Sequence, residues 1–272
     1  MKILLASFEF ESLTGQPMYN YNLAKGLIEA GHEVTCVGLK IGGTITEWLK
    51  EIGVEVYSYH PKSDWFDVYD LTIISECLPE VIDNITCDDI YNFCHSKGEL
   101  DQPIEREEIK GYLFPREQVQ KHWKKEGKII PIPLDFNKFK KYERVESPDY
   151  IILSPCTLDS LRKPMLLDLL KRAVDNVKVW IVGKDYGALK GVKIPENVTI
   201  FPETDNVVEY MKKADELAGI FIGTVTLEAW AVGLKTSVYD ELGRYEYIEP
   251  YDIKNNDYRA VAKEFIKLKE AS

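Results

Sequence analysis

The chain has 272 residues, 45% hydrophobic and 29% charged, with a formal net charge of -11. That length suits two domains of about 100–150 residues, each large enough to bury its own core. The acidic balance excludes general nucleic-acid binding, which needs a basic footprint; the local exceptions are Arg116–Lys128 and Lys138–Arg144.

Strands and helices are predicted to alternate along the whole chain. Lys2–Ser7 is a mostly apolar run, the pattern of a strand covered on both faces. A polar loop with Gly15 near its end leads to a helix whose apolar face is marked by Met18, Tyr21, Ala24, Leu27 and Ile28. Pro17 suits its first turn and Gly31 its end. Val34–Val37 is the next strand, Thr44–Ile52 a short helix ended by Gly53, and Val54–Tyr59 and Leu71–Ser75 two further strands. From Cys77 to Lys110 the sequence shows helical pieces and a polar turn around Ser96–Pro103. Gly111–Phe114 is read as a strand, Arg116–Glu126 as a helix and Ile129–Leu134 as a strand. The charged stretch Glu143–Asp149, with Pro148, forms a linker. Beyond it, strands are predicted at Tyr150–Ser154, Val179–Val182, Val198–Phe201, Leu217–Ile222 and Ser237–Tyr239. Helices are predicted near Pro164–Val174, Asp205–Ala214, Thr224–Val232 and Asp257–Lys269. Alternation of this kind implies an α/β fold with parallel sheets and helices on both faces. Two such series imply two Rossmann-like domains, 1–147 and 148–272, facing each other across a cleft at the carboxyl ends of their strands.

Five cysteines (Cys36, Cys77, Cys87, Cys94, Cys156) are odd in number and scattered, which fits a reducing compartment better than a disulfide framework. Cys87, Cys94 and His95 match no common zinc spacing, so no metal site is expected. The first residues read as a buried strand rather than a signal peptide, and no stretch approaches the ~18 apolar residues of a membrane span. A cytoplasmic protein is therefore expected, and the sequons at Asn84 and Asn197 carry no weight.

The segment richest in chemistry runs from Gly223 to Gly233. It follows a buried strand and opens a helix, whose first N–H groups lack partners and carry partial positive charge suited to a diphosphate. Gly223 would let a ligand approach the backbone. Thr224 and Thr226 add hydroxyls, and Glu228, one turn in, can accept hydrogen bonds from ribose hydroxyls. An ordinary strand–helix junction with a solvent-facing glutamate accounts for the same residues equally well. The first loop does not spell G-x-G-x-x-G and no acidic residue closes the second strand, so a nicotinamide site is not expected.

Leu227-Glu228-Ala229-Trp230-Ala231-Val232-Gly233 resembles the donor-binding signature of the retaining GT-B glycosyltransferases of the large family four group. Other segments resemble that family in the right order. Pro131, Asp135 and Phe139 stand in register with its inter-domain stretch, with Pro133-Leu134 in place of the usual Gly-Val. Asn22-Leu23-Ala24, Gly31–Val34, Asn197-Val198 and Ala214-Asp215 also have counterparts. The match spans nearly the whole chain. The resemblance implies a first-domain acceptor site and a second-domain site for a nucleoside diphosphate sugar, with UDP, GDP or ADP as the nucleotide. It implies that Glu228 binds ribose, that Gly15 lies near the donor phosphate, and that Lys163, with Arg162 in place of the family's arginine, stabilises charge on the leaving diphosphate. It implies neither a metal nor a cofactor. The acceptor, a glycan, lipid or protein, is left open.

Further positions depart from the family pattern, among them Gln16, where the family usually has the second glycine of a Gly-Gly pair. Ser75 occupies the place after the fourth strand where many members carry a histidine, and none of His32, His60, His95 or His122 falls there. Pro155-Cys156-Thr157 replaces a Gly-Arg pair. Ile220 stands eight positions before Glu228, where the family has a second glutamate that contacts the donor sugar. Arg116, Lys121, Lys124 and Lys125 beside Trp123 resemble a basic, aromatic membrane-docking surface, although a solvated helix face explains them as well. Two other functions share the fold: a sugar-nucleotide epimerase, for which no set of acids and bases stands out, and a non-catalytic nucleotide-sugar binding protein.

Overall fold

The computed structural model describes residues 1–60, 67–75, 78–139, 141–142, 145–240, 242–250 and 252–270. Cys77 and the Glu143–Arg144 start of the expected linker lie outside the described residues. The chain divides into two compact units: Met1–Ser12, Gln16–Leu134 and Lys254–Ser272 form the first, and Leu13–Gly15 with Asp135–Ile253 the second.

Unit 1 is built on a seven-stranded parallel sheet. Its strands are β1 (Lys2–Phe10), β2 (Glu33–Ile41), β3 (Glu55–Ser58), β4 (Leu71–Ser75), β5 (Ile90–Phe93), β6 (Ile109–Phe114) and β7 (Gly127–Ile129), in the order β3-β2-β1-β4-β5-β6-β7. Ile3, Leu4, Leu5 and Ala6 of β1 are all buried, as a central strand covered on both faces requires. Helices α1 (Gly15–Glu29), α2 (Gly43–Glu51) and α3 (Glu117–Trp123) connect the strands.

Unit 2 repeats the plan. Strands β8 (Tyr150–Pro155), β9 (Val177–Val182), β10 (Val198–Phe201), β11 (Glu216–Ile220), β12 (Lys235–Tyr239) and β13 (Tyr245–Tyr247) take the order β10-β9-β8-β11-β12-β13. All pairs are parallel except β12 with β13. Its helices are α4 (Lys163–Arg172), α5 (Val208–Met211) and α6 (Thr224–Val232).

The last helix, α7 (Tyr258–Glu270), belongs to unit 1, not to the 148–272 domain that the sequence predicts. Its Tyr258, Val261, Ala262 and Phe265 are fully buried. The Tyr258 hydroxyl donates to Glu29 over 2.7 Å, and Lys269 joins Lys110 in neutralising the buried carboxylate of Asp89. A Cβ on Gly26 would meet the Tyr258 carbonyl oxygen at 2.6 Å, so α1 and this segment approach closely through glycine. Because α1 is covered from this side too, its buried arc includes Tyr19, Asn20, Asn22 and Leu23, while Met18, Tyr21 and Ile28 of the predicted face are half-buried.

Other differences have local causes. Ile130 still donates to the Phe114 carbonyl, but Pro131 and Pro133 have no N–H to continue a ladder, so β7 stops at Ile129 short of the predicted Leu134. The strand β5, not apparent from the sequence, is four residues long and carries a buried Asn92 that donates to the Ile74 carbonyl. β13 is exposed along its length and held by a turn in which Asp240 accepts from the N–H groups of Leu242 and Arg244. α5 is four residues, against the predicted Asp205–Ala214.

Unit 2 buries an ion pair between Arg172 and Glu216. Glu216 opens β11 and accepts from Arg172 Nη2 at 2.7 Å, from the Tyr150 hydroxyl at 2.9 Å and from Ser237. Burial opposes its charge, but these donors outweigh it and hold its pKa below the usual value. Arg172 also donates to the Tyr239 hydroxyl, which donates to Asp168. Removing one partner of such a pair leaves an uncompensated charge. Arg172→Met is expected to cost about 3 kcal/mol or more, and Arg172→Met/Glu216→Leu to cost less than the single change. Urea unfolding of the three proteins checks this; a double variant weaker than the single one would contradict it.

Candidate functional site

In a parallel sheet of order 3-2-1-4-5-6 the loops leaving the first and fourth strands diverge to opposite faces, and a crevice opens beyond their carboxyl ends. In unit 2 those strands are β8 and β11, which pair directly. The loop after β8 leads to Arg162 and Lys163; the turn after β11 leads to Gly223 and α6. The sequence-predicted residues of unit 2 therefore gather on one sheet edge.

The turn after β11 is strained. Phe221 has φ 57°, a left-handed conformation that disfavours a side chain with a Cβ. Its N–H donates to the Tyr239 carbonyl, and its carbonyl accepts from the Thr226 hydroxyl at 3.1 Å. Thr226, expected to offer its hydroxyl to a ligand, spends its proton on this turn. Gly223 caps α6 with extended backbone and no side-chain hydrogen bond, so the first-turn N–H groups have no intrahelical acceptor. A Cβ at Gly223 would meet nothing within 4 Å: the space beyond the helix start is open. Thr224 is buried in the first turn. Gly233 ends the helix at φ 85°.

α6 is apolar nearly all round, with Leu227, Ala229 and Trp230 buried. Within it lies Glu228, only 5% exposed. It is not solvent-facing, which removes the alternative of an ordinary surface glutamate. No hydrogen bond reaches its carboxylate among the described residues. Burial pushes its pKa up from 4.5 to about 7, with the Lys138 ammonium pulling the other way. A buried carboxylate without a hydrogen-bond donor is costly, and such groups gather at sites of function. Lys138, held by the Asp205 carbonyl at 3.0 Å, is a member of the site to which the sequence assigned no role. It lies three residues after Asp135, inside the stretch singled out for its resemblance.

On the β8 side, Arg162, expected to stand in for the family's arginine, is ion-paired. Its guanidinium is bonded to Asp159, whose carboxylate also accepts from the Arg162 N–H at 3.0 Å and from the Thr157 hydroxyl at 2.7 Å. Lys163 is exposed at the first position of α4, with no ion pair among the described residues. The backbone here is packed against the end of β9: a Cβ on Gly183 would sit 1.9 Å from the Cys156 carbonyl oxygen, so only glycine fits. Gly15, which is grouped with unit 2, is exposed at the start of α1, and Ser75 of unit 1 is buried at the end of β4. Cys87 and Cys94 bond to the Asp89 carbonyl and to the Asn92 side chain respectively. No group of three metal-ligating side chains occurs among the described residues. No helix of the described residues is long and apolar enough to cross a membrane.

No protein-family profile matches the sequence, and no curated protein matches it. Solved structures do. Anabaena HepE in complex with UDP-glucose superposes with a TM-score of 0.64 at 13% identity, covering 100% of this chain and 98% of that one. WaaG, a glycosyltransferase involved in lipopolysaccharide biosynthesis, gives 0.64 at 14% identity, with 99% and 92% covered. A glycosyltransferase from Rickettsia africae gives 0.63 at 12% identity, with 99% and 88% covered. These likenesses establish the fold: the chain has the GT-B architecture.

Burial of Glu228 has a consequence for stability. Its folded-state pKa is raised, so the native state holds the proton more tightly than the unfolded chain does. The stabilising contribution is whole below the unfolded value of 4.5 and is lost as pH rises through about 7. Glu228→Gln, which cannot ionise, should gain on the parent between about pH 5 and about pH 8, by up to about 3 kcal/mol. Thermal unfolding across that range measures it; a stability difference that does not change with pH would show that the carboxylate is not desolvated.

Proposed function

We propose that the protein is a glycosyltransferase that moves a sugar from a nucleoside diphosphate sugar to an acceptor. The observation that carries this is Glu228: a desolvated carboxylate without a hydrogen-bond donor, one turn inside a helix that opens onto the strand-order reversal of a Rossmann-like sheet. Ribose hydroxyls are the donors that such a group lacks. The uncapped start of α6 takes the diphosphate, helped by Thr224 and by the space over Gly223. Lys163 supplies positive charge as the diphosphate leaves, with Arg162 acting as half of an ion pair rather than as a bare cation. Retention of anomeric configuration and independence from a metal belong to this proposal through the resemblance of Leu227–Gly233. The fold shared with HepE bound to UDP-glucose supports a UDP-sugar as the first donor to try. The acceptor is a glycan, a lipid or a protein.

A non-catalytic nucleotide-sugar binder is the second reading. Two observations favour it: apolar Ile220 at the end of β11, and the commitment of Arg162 to Asp159. Glu216 does not replace the missing acid, since it sits at the opposite end of β11 inside the ion pair with Arg172.

Binding to the native state raises the melting temperature by mass action. UDP, GDP and ADP, added one at a time at millimolar concentration, should include at least one that does so. Glu228→Ala should then bind that nucleotide about tenfold or more weakly while staying folded. No shift with any of the three would end the proposal. Lys163→Ala should lower turnover of donor, measured as sugar transfer or hydrolysis, more than it lowers donor affinity. A parent that binds donor and never turns it over is the binder of the second reading.

A further inference from the structure

Glu228 has to meet two demands at once. To accept from a pair of hydroxyls it must be ionised, because a protonated carboxyl turns one acceptor into a donor. To have room for them, its oxygens must not be bonded already. Glu216 meets only the first demand: Arg172, Tyr150 and Ser237 keep its charge, and the same donors occupy its oxygens. Glu228 is as buried and has no donor, so what favours its ionised form is a charge that does not touch it.

That charge comes from the segment that carries the chain into unit 2 after Leu134. Lys138 and Phe139 donate their N–H groups to the Asp135 carbonyl at 3.0 and 3.1 Å, which folds the segment into a helical turn. The Asp135 carboxylate accepts from the Asn137 N–H at 2.9 Å. Phe139 is 3% exposed and shares a core cluster with Ala229 and Val232 of α6. Beyond it, the Lys141 stem would lie 3.7 Å from a Cβ on Gly233, at the end of that helix. The segment thus runs along α6, with Lys141 at the last turn and Lys138 toward the turn that holds Glu228. The Lys138 ammonium is fixed by the Asp205 carbonyl, and its main-chain carbonyl accepts from the Tyr142 hydroxyl at 2.8 Å.

The other charges around α6 are engaged elsewhere. The helix itself has no second charged residue. On β11, Glu216 is paired with Arg172. On β12, Lys235 lies over the Tyr247 ring at 5.0 Å, and Asp240 just beyond is paired with Arg244. On α5, Glu209 is paired with Lys212. Among the described residues Lys138 is the charge that acts on Glu228. It acts through space, in a low-dielectric setting that preserves attraction between opposite charges.

We propose that Lys138 is a positioning residue of the nucleotide site: it supplies the charge opposite Glu228 while leaving both carboxylate oxygens open to the hydroxyls of a ribose. The ribose rests on the function proposed above; the action of Lys138 on Glu228 does not.

Two measurements on the full chain separate these parts. In the first, carbon-13 NMR follows the titration of the Glu228 carboxyl, assigned by its loss in Glu228→Gln. Lys138→Met keeps the apolar stem and removes the charge, so the midpoint should rise by about one pH unit, and Lys138→Arg should restore it. A midpoint that stays put in Lys138→Met overturns the proposal whether or not a nucleotide binds. In the second, calorimetric titration with UDP, GDP and ADP is run at pH 7 and pH 9. For whichever nucleotide the parent binds, Lys138→Met should bind about fivefold more weakly at pH 7 and nearly equally at pH 9, where the carboxylate is ionised in both proteins. Lys138→Arg should follow the parent at both. A deficit of the same size at both pH values would make Lys138 a direct ligand contact or a packing residue and overturn the proposal, as would no deficit at either. If the parent binds none of the three, the proposed function fails and the ribose falls with it. The NMR midpoint then decides alone whether Lys138 governs Glu228.

Discussion

A right-handed crossover places each connecting helix of a parallel sheet on the face set by the direction in which the next strand is laid down. When strand order reverses, successive helices go to opposite faces and the loops between them part. Unit 2 reverses at β8, which has β9 on one side and β11 on the other; unit 1 reverses at β1. The residues of the proposed nucleotide site stand at the first of these places. The reversal leaves uncovered backbone and helix starts where the rest of the sheet edge is closed by packing. It does so whatever the side chains are, which is why the fold alone shows where a ligand would sit and not which ligand it is.

What the side chains add at the unit 2 reversal is a concentration of local costs. Phe221 occupies a backbone region that glycine fills more cheaply, Glu228 is desolvated in an apolar helix, and the start of α6 has no side-chain cap. Away from this edge the same unit is careful with its polar groups. Glu216 is as buried as Glu228 but has three donors, and its pKa is lowered rather than raised. Two glutamates in one unit, equally hidden from water and treated oppositely by their surroundings, separate a structural carboxylate from one held ready for something else.

The sequence made the architecture legible where burial is two-sided and the runs are continuous. Lys2–Ser7 and Leu71–Ser75 announce themselves as central strands, and Thr224–Val232 was bounded to the residue by Gly223 and Gly233. Short or exposed elements escaped: β5 hides a satisfied asparagine in four residues, and β13 has no buried face to produce alternation. The apolar face of α1 was misjudged because periodicity reveals contact with one layer, and α7 supplies a second from far along the chain. At the proposed site, motif position singled out Glu228, Gly223 and Lys163. It could not show that Asp159 holds Arg162 or that Phe221 takes the Thr226 proton. Those facts depend on rotamers and on partners that pattern does not encode.

The return of α7 to unit 1 also bears on how the molecule comes into being. Leu134 donates to the Asn256 carbonyl and accepts from the Tyr258 N–H, so the point where the chain leaves unit 1 and the point where it comes back lie side by side. Unit 2 is thus an insertion between two adjacent positions of unit 1. On the ribosome the insertion has all its strands and helices before Tyr258 is made, whereas the sheet that begins the chain waits for its final helix. The order of synthesis and the order of completion are therefore reversed: the second half can close first, and the first half holds apolar surface of α1 open until the last residues of α7 emerge.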